Sequence, residues 1–252
     1  MLSKKKIRLI KSLAKKKYRR EYGLFVAEGK KIIEALMESD YEVEELIGLE
    51  RYAELFADVK YTVVDENEFL RVSFQKNPQG IMALVRIPSD RQLKFNPWEH
   101  GLVLMLDDIQ DPGNLGTILR VSLWFGVREV ICSVGSVDVY NPKVVQASMG
   151  AIFFVNVYYD DLENILRSAE KGKVYGAFMD GENVYKARLT DRGIIVLGNE
   201  AHGIRENLAG YIGKRIGIPK FFEGKGIDSL NLAMSTGIIL SEFRRRQVLR
   251  RE

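Results

Sequence analysis

Short apolar runs bounded by turn residues alternate with stretches of helical period along most of the chain, a pattern that predicts an α/β protein. Residues 24–26, 45–49, 61–64 and 81–85 read as strands and 30–37 as a helix, which together make a small α/β unit of about 65 residues. Further on, the runs 102–106, 129–132, 153–157, 174–178, 194–197 and 215–218 are more continuously apolar. Strands of that kind are buried on both faces, as in a parallel sheet covered by helices. The pattern closes with a long helix predicted over 229–246. Between the two blocks, residues 87–99 contain Pro88, Ser89, Asp90, Asn96 and Pro97 with little period and read as a linker. The expected division is a domain over 1–90, a linker over 91–99 and a second domain over 100–252.

Composition narrows the class. The chain has 252 residues, 46% hydrophobic and 29% charged, which is ordinary globular composition. Its single cysteine, Cys132, excludes a disulfide framework, and with only two histidines, His100 and His202, no Cys/His zinc site is expected and no metal. No stretch approaches the roughly 18 apolar residues that span a membrane, and the N-terminus lacks the apolar core of a signal peptide, so a cytoplasmic location without membrane contact is expected.

Charge is distributed unevenly. The net charge is +4, yet residues 1–20 hold ten Lys or Arg and no acid, so the remainder carries 4 − 10 = −6. Such a block attracts polyanions through counterion release, nucleic acid foremost; the plainer alternative is a solvated charged tail. Ile7, Ile10, Leu13 and Tyr18 recur at helical spacing within it, which predicts a helix with a basic face.

In an open parallel sheet, ligands bind beyond the carboxyl ends of the strands. Three loops there carry candidate chemistry. The first runs from Asp107 to Arg120; Asp111-Pro112-Gly113 is turn chemistry, Asn114 is placed to cap a helix opened by Leu115, and Arg120 falls in its second turn. A capped helix with one surface arginine would read the same way. The second, Gly198-Asn199-Glu200-Ala201-His202-Gly203, sets a carboxylate between two glycines that let the backbone approach a ligand. The third starts at Ile218-Pro219 and enters the last helix at Ser229-Leu230-Asn231, where Asp228 or Ser229 alternatively serves as the helix cap. Rossmann, P-loop and Gly-x-Ser-x-Gly motifs are missing, which disfavours dinucleotide, nucleotide-hydrolysis and α/β-hydrolase chemistry. Cys132 reads as a buried hydrophobe.

Taken in order, Asn114-x-Gly116-x-x-x-Arg120, Gly198-Asn199-Glu200-x-x-Gly203, and Ile218-Pro219 followed by Ser229-Leu230-Asn231 resemble the three signature motifs of the SpoU/TrmH family of S-adenosylmethionine-dependent RNA 2′-O-ribose methyltransferases, in the SPOUT superfamily. Residues 19–30, followed by 32–36, look like the start of that family's N-terminal substrate-binding domain, which is similar to small RNA-binding ribosomal proteins. The resemblance implies a C-terminal parallel-sheet domain threaded as a trefoil knot, an exception to the usual avoidance of threading, and a homodimer. It also implies S-adenosylmethionine as cofactor and RNA as partner, ribosomal RNA ahead of transfer RNA. By motif position, Asn114, Arg120, Glu200, Ser229 and Asn231 would serve catalysis, and Gly198, Ile218 and Leu230 would meet the cofactor. A guanidinium holds its proton too firmly for a general base, so Arg120 is expected to act electrostatically on a phosphate or the developing alkoxide. Two departures stand out: nine residues separate Pro219 from Ser229, where many relatives have a shorter loop, and 232–237 replace a common Val-Ser-Val-Ala-x-Gly. The competing class is a non-catalytic RNA-binding or ribosome-assembly factor.

Overall fold

The computed structural model of the chain describes residues 1–89, 93, 96–99, 101–222, 224 and 229–248. They form two compact units, one of Met1–Asp90 with Asp138–Phe154, the other of Arg91–Val137 with Val155–Glu252. Residues 138–154, expected in the second domain, therefore pack in the first unit.

That unit runs α1 (Lys4–Ser12), α2 (Lys16–Tyr22), β1 (Leu24–Glu28), α3 (Lys30–Met37), β2 (Val43–Gly48), β3 (Tyr61–Val63), α4 (Glu66–Leu70) and β4 (Ile81–Arg86). Its sheet has the order β1-β4-β2-β3, with β4 antiparallel to β1 and β2, and β3 parallel to β2. All of β1 is buried because successive side chains point to opposite faces and both are covered. Leu24 and Val26 join Ile10, Leu13, Phe69 and Leu84 in one cluster. Phe25 turns the other way, its ring 4.5 Å from that of Tyr140 and 6.1 Å from that of Tyr41.

The basic arm is folded into this core. Arg19 is only 2% exposed and donates to the carbonyls of Leu13 (2.7 Å) and Ala14 (2.9 Å) and to the Asp138 carboxylate (3.0 and 2.5 Å). Lys6 pairs with Glu45. Of the ten cations, the eight that remain exposed are Lys4, Lys5, Arg8, Lys11, Lys15, Lys16, Lys17 and Arg20. The expected single amphipathic helix is two helices, broken at Leu13, whose carbonyl takes a bond from Arg19.

After Arg86 the chain continues through β5 (Leu102–Leu106), α5 (Pro112–Trp124), β6 (Glu129–Ser133), α6 (Pro142–Ser148, in the first unit), β7 (Asn156–Asp160), α7 (Leu162–Ser168), β8 (Val174–Asn183), β9 (Gly193–Leu197), α8 (Glu206–Ala209), β10 (Lys214–Gly217) and α9 (Leu232–Val248). The second unit's sheet is wholly parallel, in the order β10-β8-β9-β5-β6-β7. One face buries Val103, Met105, Ile194 and Val196 under Leu162, Ile165 and Leu166 of α7 and Leu208 of α8. On the other, Phe243 of α9 meets the ring of Tyr175 edge-on at 5.0 Å, and α9 packs along α5.

Three expectations shift. The strand expected over 153–157 is β7, displaced because Phe153 packs on Tyr41 at 5.2 Å and pairing with β6 begins only at Asn156 opposite Glu129. The strand expected over 174–178 runs to Asn183, since its second half pairs again with β10 across a register shift. Within the expected linker, Trp98 is 6% exposed and belongs to the second unit's core; residues 90–92, 94 and 95 lie outside the described residues, as does His100.

Glu28 ends β1 as a carboxylate 5% exposed, accepting from the Ser73 hydroxyl and from the Phe74 N–H (2.9 Å). Burial pushes its carboxyl above the ordinary 4.5, outweighing the two bonds that pull it down. The fold then keeps this proton to a higher pH than the unfolded chain does, so the contribution is complete below the ordinary value and is lost as pH rises through the raised one. Glu28→Gln is expected to flatten the fall of melting temperature with pH upward from 4.5; a slope equal to the wild type's in a calorimetric series would refute it.

Candidate active site

Strands β5 and β9 lie side by side, with Leu106 opposite Leu197, so the loops leaving their carboxyl ends start as neighbours. From β5 the chain winds toward β6 and β7, and it returns by β9 on the other side. Helix α8 packs in the cluster on one face and α5 with α9 on the other, so the two loops part where the strand order reverses, the place where open α/β sheets bind ligands.

The first loop turns at Asp111, whose Oδ1 accepts from the Asn114 N–H (2.7 Å), and α5 begins at Pro112. Proline suits that position because its missing N–H would have no partner there. The cap is thus Asp111 and not Asn114, which sits inside the first turn with its side-chain amide free for other partners. Arg120 accordingly lies in the third turn, not the second; it is exposed, and no described residue bonds its guanidinium.

The second loop closes on itself. The N–H of Asn199 donates to the Gly203 carbonyl and the N–H of Gly203 to that of Asn199, both at 2.9 Å. A Cβ on Gly198 would come within 2.1 Å of the Gly203 carbonyl carbon, so only glycine fits there. Asn199 Oδ1 accepts from the N–H groups of Ala201 (2.8 Å) and His202 (3.2 Å), and its Nδ2 donates to the Asp108 carbonyl (2.7 Å). Glu200 stands exposed at the tip.

The third loop leaves β10 through half-buried Ile218 and reaches exposed Ser229 and Leu230. The last helix is capped by Asn231, whose Oδ1 accepts from the N–H groups of Ala233 (3.0 Å) and Met234 (3.3 Å). Ser229 is therefore not the cap, and Asp228 lies outside the described residues.

The three loops meet through side chains. Asn114 Nδ2 donates to Glu200 Oε1 (2.8 Å), and Asn231 Nδ2 donates to Asn114 Oδ1 (2.9 Å), joining residues 86 and 117 positions apart. Asn114, Glu200 and Asn231 are thus assembled; Arg120 does not bond Glu200, and Ser229, Leu230 and Ile218 join no described side-chain bond. Sequence reasoning gave no role to Asp107, Asp108, Asn199 and Arg205, which hold the second loop. Asp107 and Asp108 show in the sequence as paired carboxylates at the end of an apolar strand, and Asn199 as a motif position without a role; nothing marks Arg205. No group of three or more His, Cys, Asp or Glu among the described residues is arranged to hold a metal. Burial pushes the Cys132 thiol up to about 12, which keeps it from acting as a nucleophile.

Known proteins share the sequence pattern and the fold of this chain. Residues 101–241 match the SpoU rRNA Methylase family, and residues 4–83 match the MRM3-like substrate binding domain. The chain is 26% identical over 250 residues to the 23S rRNA (guanosine(2553)-2′-O)-methyltransferase RlmP of Bacillus subtilis, covering 95% of this chain and 96% of that protein. It is 29% identical over 239 residues to the 23S rRNA (guanosine-2′-O-)-methyltransferase RlmB of Neisseria meningitidis, covering 91% and 89%. Among solved structures, a Porphyromonas gingivalis chain assigned to the TrmH family of RNA methyltransferases superposes with a TM-score of 0.86 at 38% identity, over 98% of this chain and 99% of that one. The AdoMet-bound rRNA methyltransferase of Sinorhizobium meliloti gives 0.85 at 27% identity, over 98% and 97%.

The bond between Asn114 and Glu200 is tested by turning its donor into an acceptor. Asn114→Asp sets two acceptors against each other, so one carboxyl must take a proton or move away. The variant is expected to melt below the wild type at pH 8 by a deficit of about 1 kcal/mol, modest because Glu200 is exposed, and to recover as pH falls toward 4. A deficit independent of pH would show that the two side chains do not face each other.

Proposed function

Because the chain belongs to the SpoU rRNA methylase family, we propose that it transfers the methyl group of S-adenosylmethionine to a ribose 2′-hydroxyl of ribosomal RNA. One observation carries the reading: three loops far apart in sequence converge at the switch point of a parallel sheet through Glu200, Asn114 and Asn231. The residues present fit the donor. Leu230 is 51% exposed, and Phe221 and Phe222 of the same loop are 86% and 62% exposed, offering apolar surface to an adenine ring, while Gly198 and Ile218 bring backbone groups to the carboxyl edge of the sheet. Bound there, the sulfonium supplies an already activated methyl group.

This chain's own task is then to align the acceptor hydroxyl and to lower the cost of its developing negative charge. Arg120, uncommitted to any described partner, is the cation for that work or for a neighbouring phosphate, and Ser229 completes the acceptor side. Glu200 and Asn231 hold Asn114 between them. The threaded C-terminus and the homodimer belong to the same proposal. Support for threading comes from the return of the chain from edge strand β10 to pack α9 on α5. Exposed Trp124 on α5 and Met234 on α9 give a second copy apolar surface to cover. Gly237 of α9 faces Val121 of α5, 3.8 Å from the position of a Cβ, and so lies away from that surface. No described helix is long and apolar enough to cross a membrane, and a cytoplasmic location completes the reading.

Arg120→Ala is expected to abolish methyl transfer in a single-turnover assay while S-adenosylmethionine binding stays within a few-fold; undiminished turnover would remove Arg120 from the chemistry. Mapping 2′-O-methyl marks across ribosomal and transfer RNA, with and without the protein, decides the substrate class.

The arm requires a gentler test than deletion, which would strip Ile10, Leu13 and Arg19 from the core. Lys4, Arg8 and Lys11 share one exposed face of α1 by helical spacing. Replacing all three by Gln is expected to weaken RNA binding and flatten the plot of log affinity against log salt by roughly 2 to 3. An unaltered slope would show that this face does not touch phosphate.

A further inference from the structure

We propose that Asp107, acting through Arg205, is the positioning residue for the Glu200 loop. Asp107 follows β5 directly, and its carboxylate is fully buried. Its N–H continues the ladder to the Leu197 carbonyl (2.9 Å). Oδ1 accepts from Nε and from a terminal nitrogen of Arg205, both at 2.7 Å, and Oδ2 accepts from the Arg205 N–H (2.9 Å). One residue later the Asp108 carbonyl takes the bond from Asn199. Asp108 is held at φ 56, with its N–H on Ser133 Oγ (2.8 Å) and its own Oδ1 accepting from Gln110 (2.7 Å). Consecutive residues at one strand end thus grip both ends of the loop that carries Glu200: Asp108 holds Asn199, and Asp107 holds Arg205.

Glu200 needs such a frame. It is exposed and has one described side-chain bond, to Asn114, so its place is set by the backbone beneath it. Burying a carboxylate is costly unless every lone pair finds a donor, and a buried charge clamped by a two-point guanidinium bond tolerates little displacement. An apolar side chain at position 107 would fill the space but leave the Arg205 N–H without its acceptor and the loop free to slide. Misplacement of about 1 Å in an active site can lower a rate by roughly a hundredfold, and β5, paired on both sides inside the sheet, is the element that anchors this loop.

The kinetic part of the test rests on the methyl-transfer reading; the exchange part does not. Arg205 is half-exposed, so Arg205→Gln removes the guanidinium bonds to Oδ1 and keeps the backbone bond to Oδ2, with less risk to folding than Asp107→Asn; both are made in the full chain. Three results are expected: a fall of about tenfold or more in kcat with the RNA KM within about twofold; little further loss when Arg205→Gln is added to Glu200→Gln, because the two act in series; and faster hydrogen exchange at the Asn199 and Gly203 amides, whose mutual bonds close the loop. A kcat within twofold of wild type, additive losses in the double variant, or unchanged exchange at those amides would each overturn the assignment. If the wild type transfers no methyl group to RNA, the proposed reaction fails and the exchange result alone decides the positioning role.

Discussion

An ionised carboxylate can only accept hydrogen bonds, and at Glu200 that one-sidedness orients the whole site. It demands a donor, so the Asn114 amide must turn its nitrogen toward Glu200 and its oxygen the other way. That oxygen in turn demands a donor from Asn231, whose own oxygen then points at the first free N–H groups of α9. One charge thereby sets the sense of two amides and docks the start of a 17-residue helix. Because Asp111 caps α5, the Asn114 side chain is left to bridge Glu200 and Asn231.

The position of these groups at the switch point follows from winding. Loops after β5 and β9 begin next to each other but lead to helices on opposite faces, so their side chains are brought together over the strand ends. Close backbone packing keeps the loops low over the strand ends. At Gly198 any side chain would strike Gly203, and Gly203 itself adopts φ 70, a conformation that costs glycine little. Far along α9, Arg244 donates to the carbonyls of Phe125 (2.6 Å) and Gly126 (3.1 Å) at the end of α5. The two helices that bring Asn114 and Asn231 together are therefore tied at their far ends as well, which limits how much the site can open.

Much of this was legible from local pattern. Strands buried on both faces announce themselves as continuous apolar runs, and α3, with Ile32, Ile33 and Leu36 on one face, was readable to the residue. The three motif loops were placed correctly at strand ends. What local pattern cannot carry is competition between partners. Phe153 looks like the start of a strand, yet a ring 112 positions earlier claims it. Asn114 and Asp111 are both good caps; Pro112 favours Asp111 locally, but the use of the Asn114 amide shows only when Glu200 and Asn231 are brought to it. Asp107 and Arg205, 98 positions apart, look like ordinary polar residues until the fold buries one of them.

Arg19 shows the same limit for charge. Counting the basic arm gives ten equivalent cations, but a guanidinium presents several donors in a rigid plane and sheds water more easily than an ammonium, so arginine can close a turn from inside as lysine cannot. Arg19 does so, bonding two carbonyls and the Asp138 carboxylate. The consequence reaches the surface: with α1 and α2 clamped together, the eight exposed cations stand at fixed spacings and need not be ordered when a polyanion arrives. Less conformational freedom is then lost on binding. A tally of charge counts Arg19 with the surface cations, whereas its bonds place it among the residues that hold the fold.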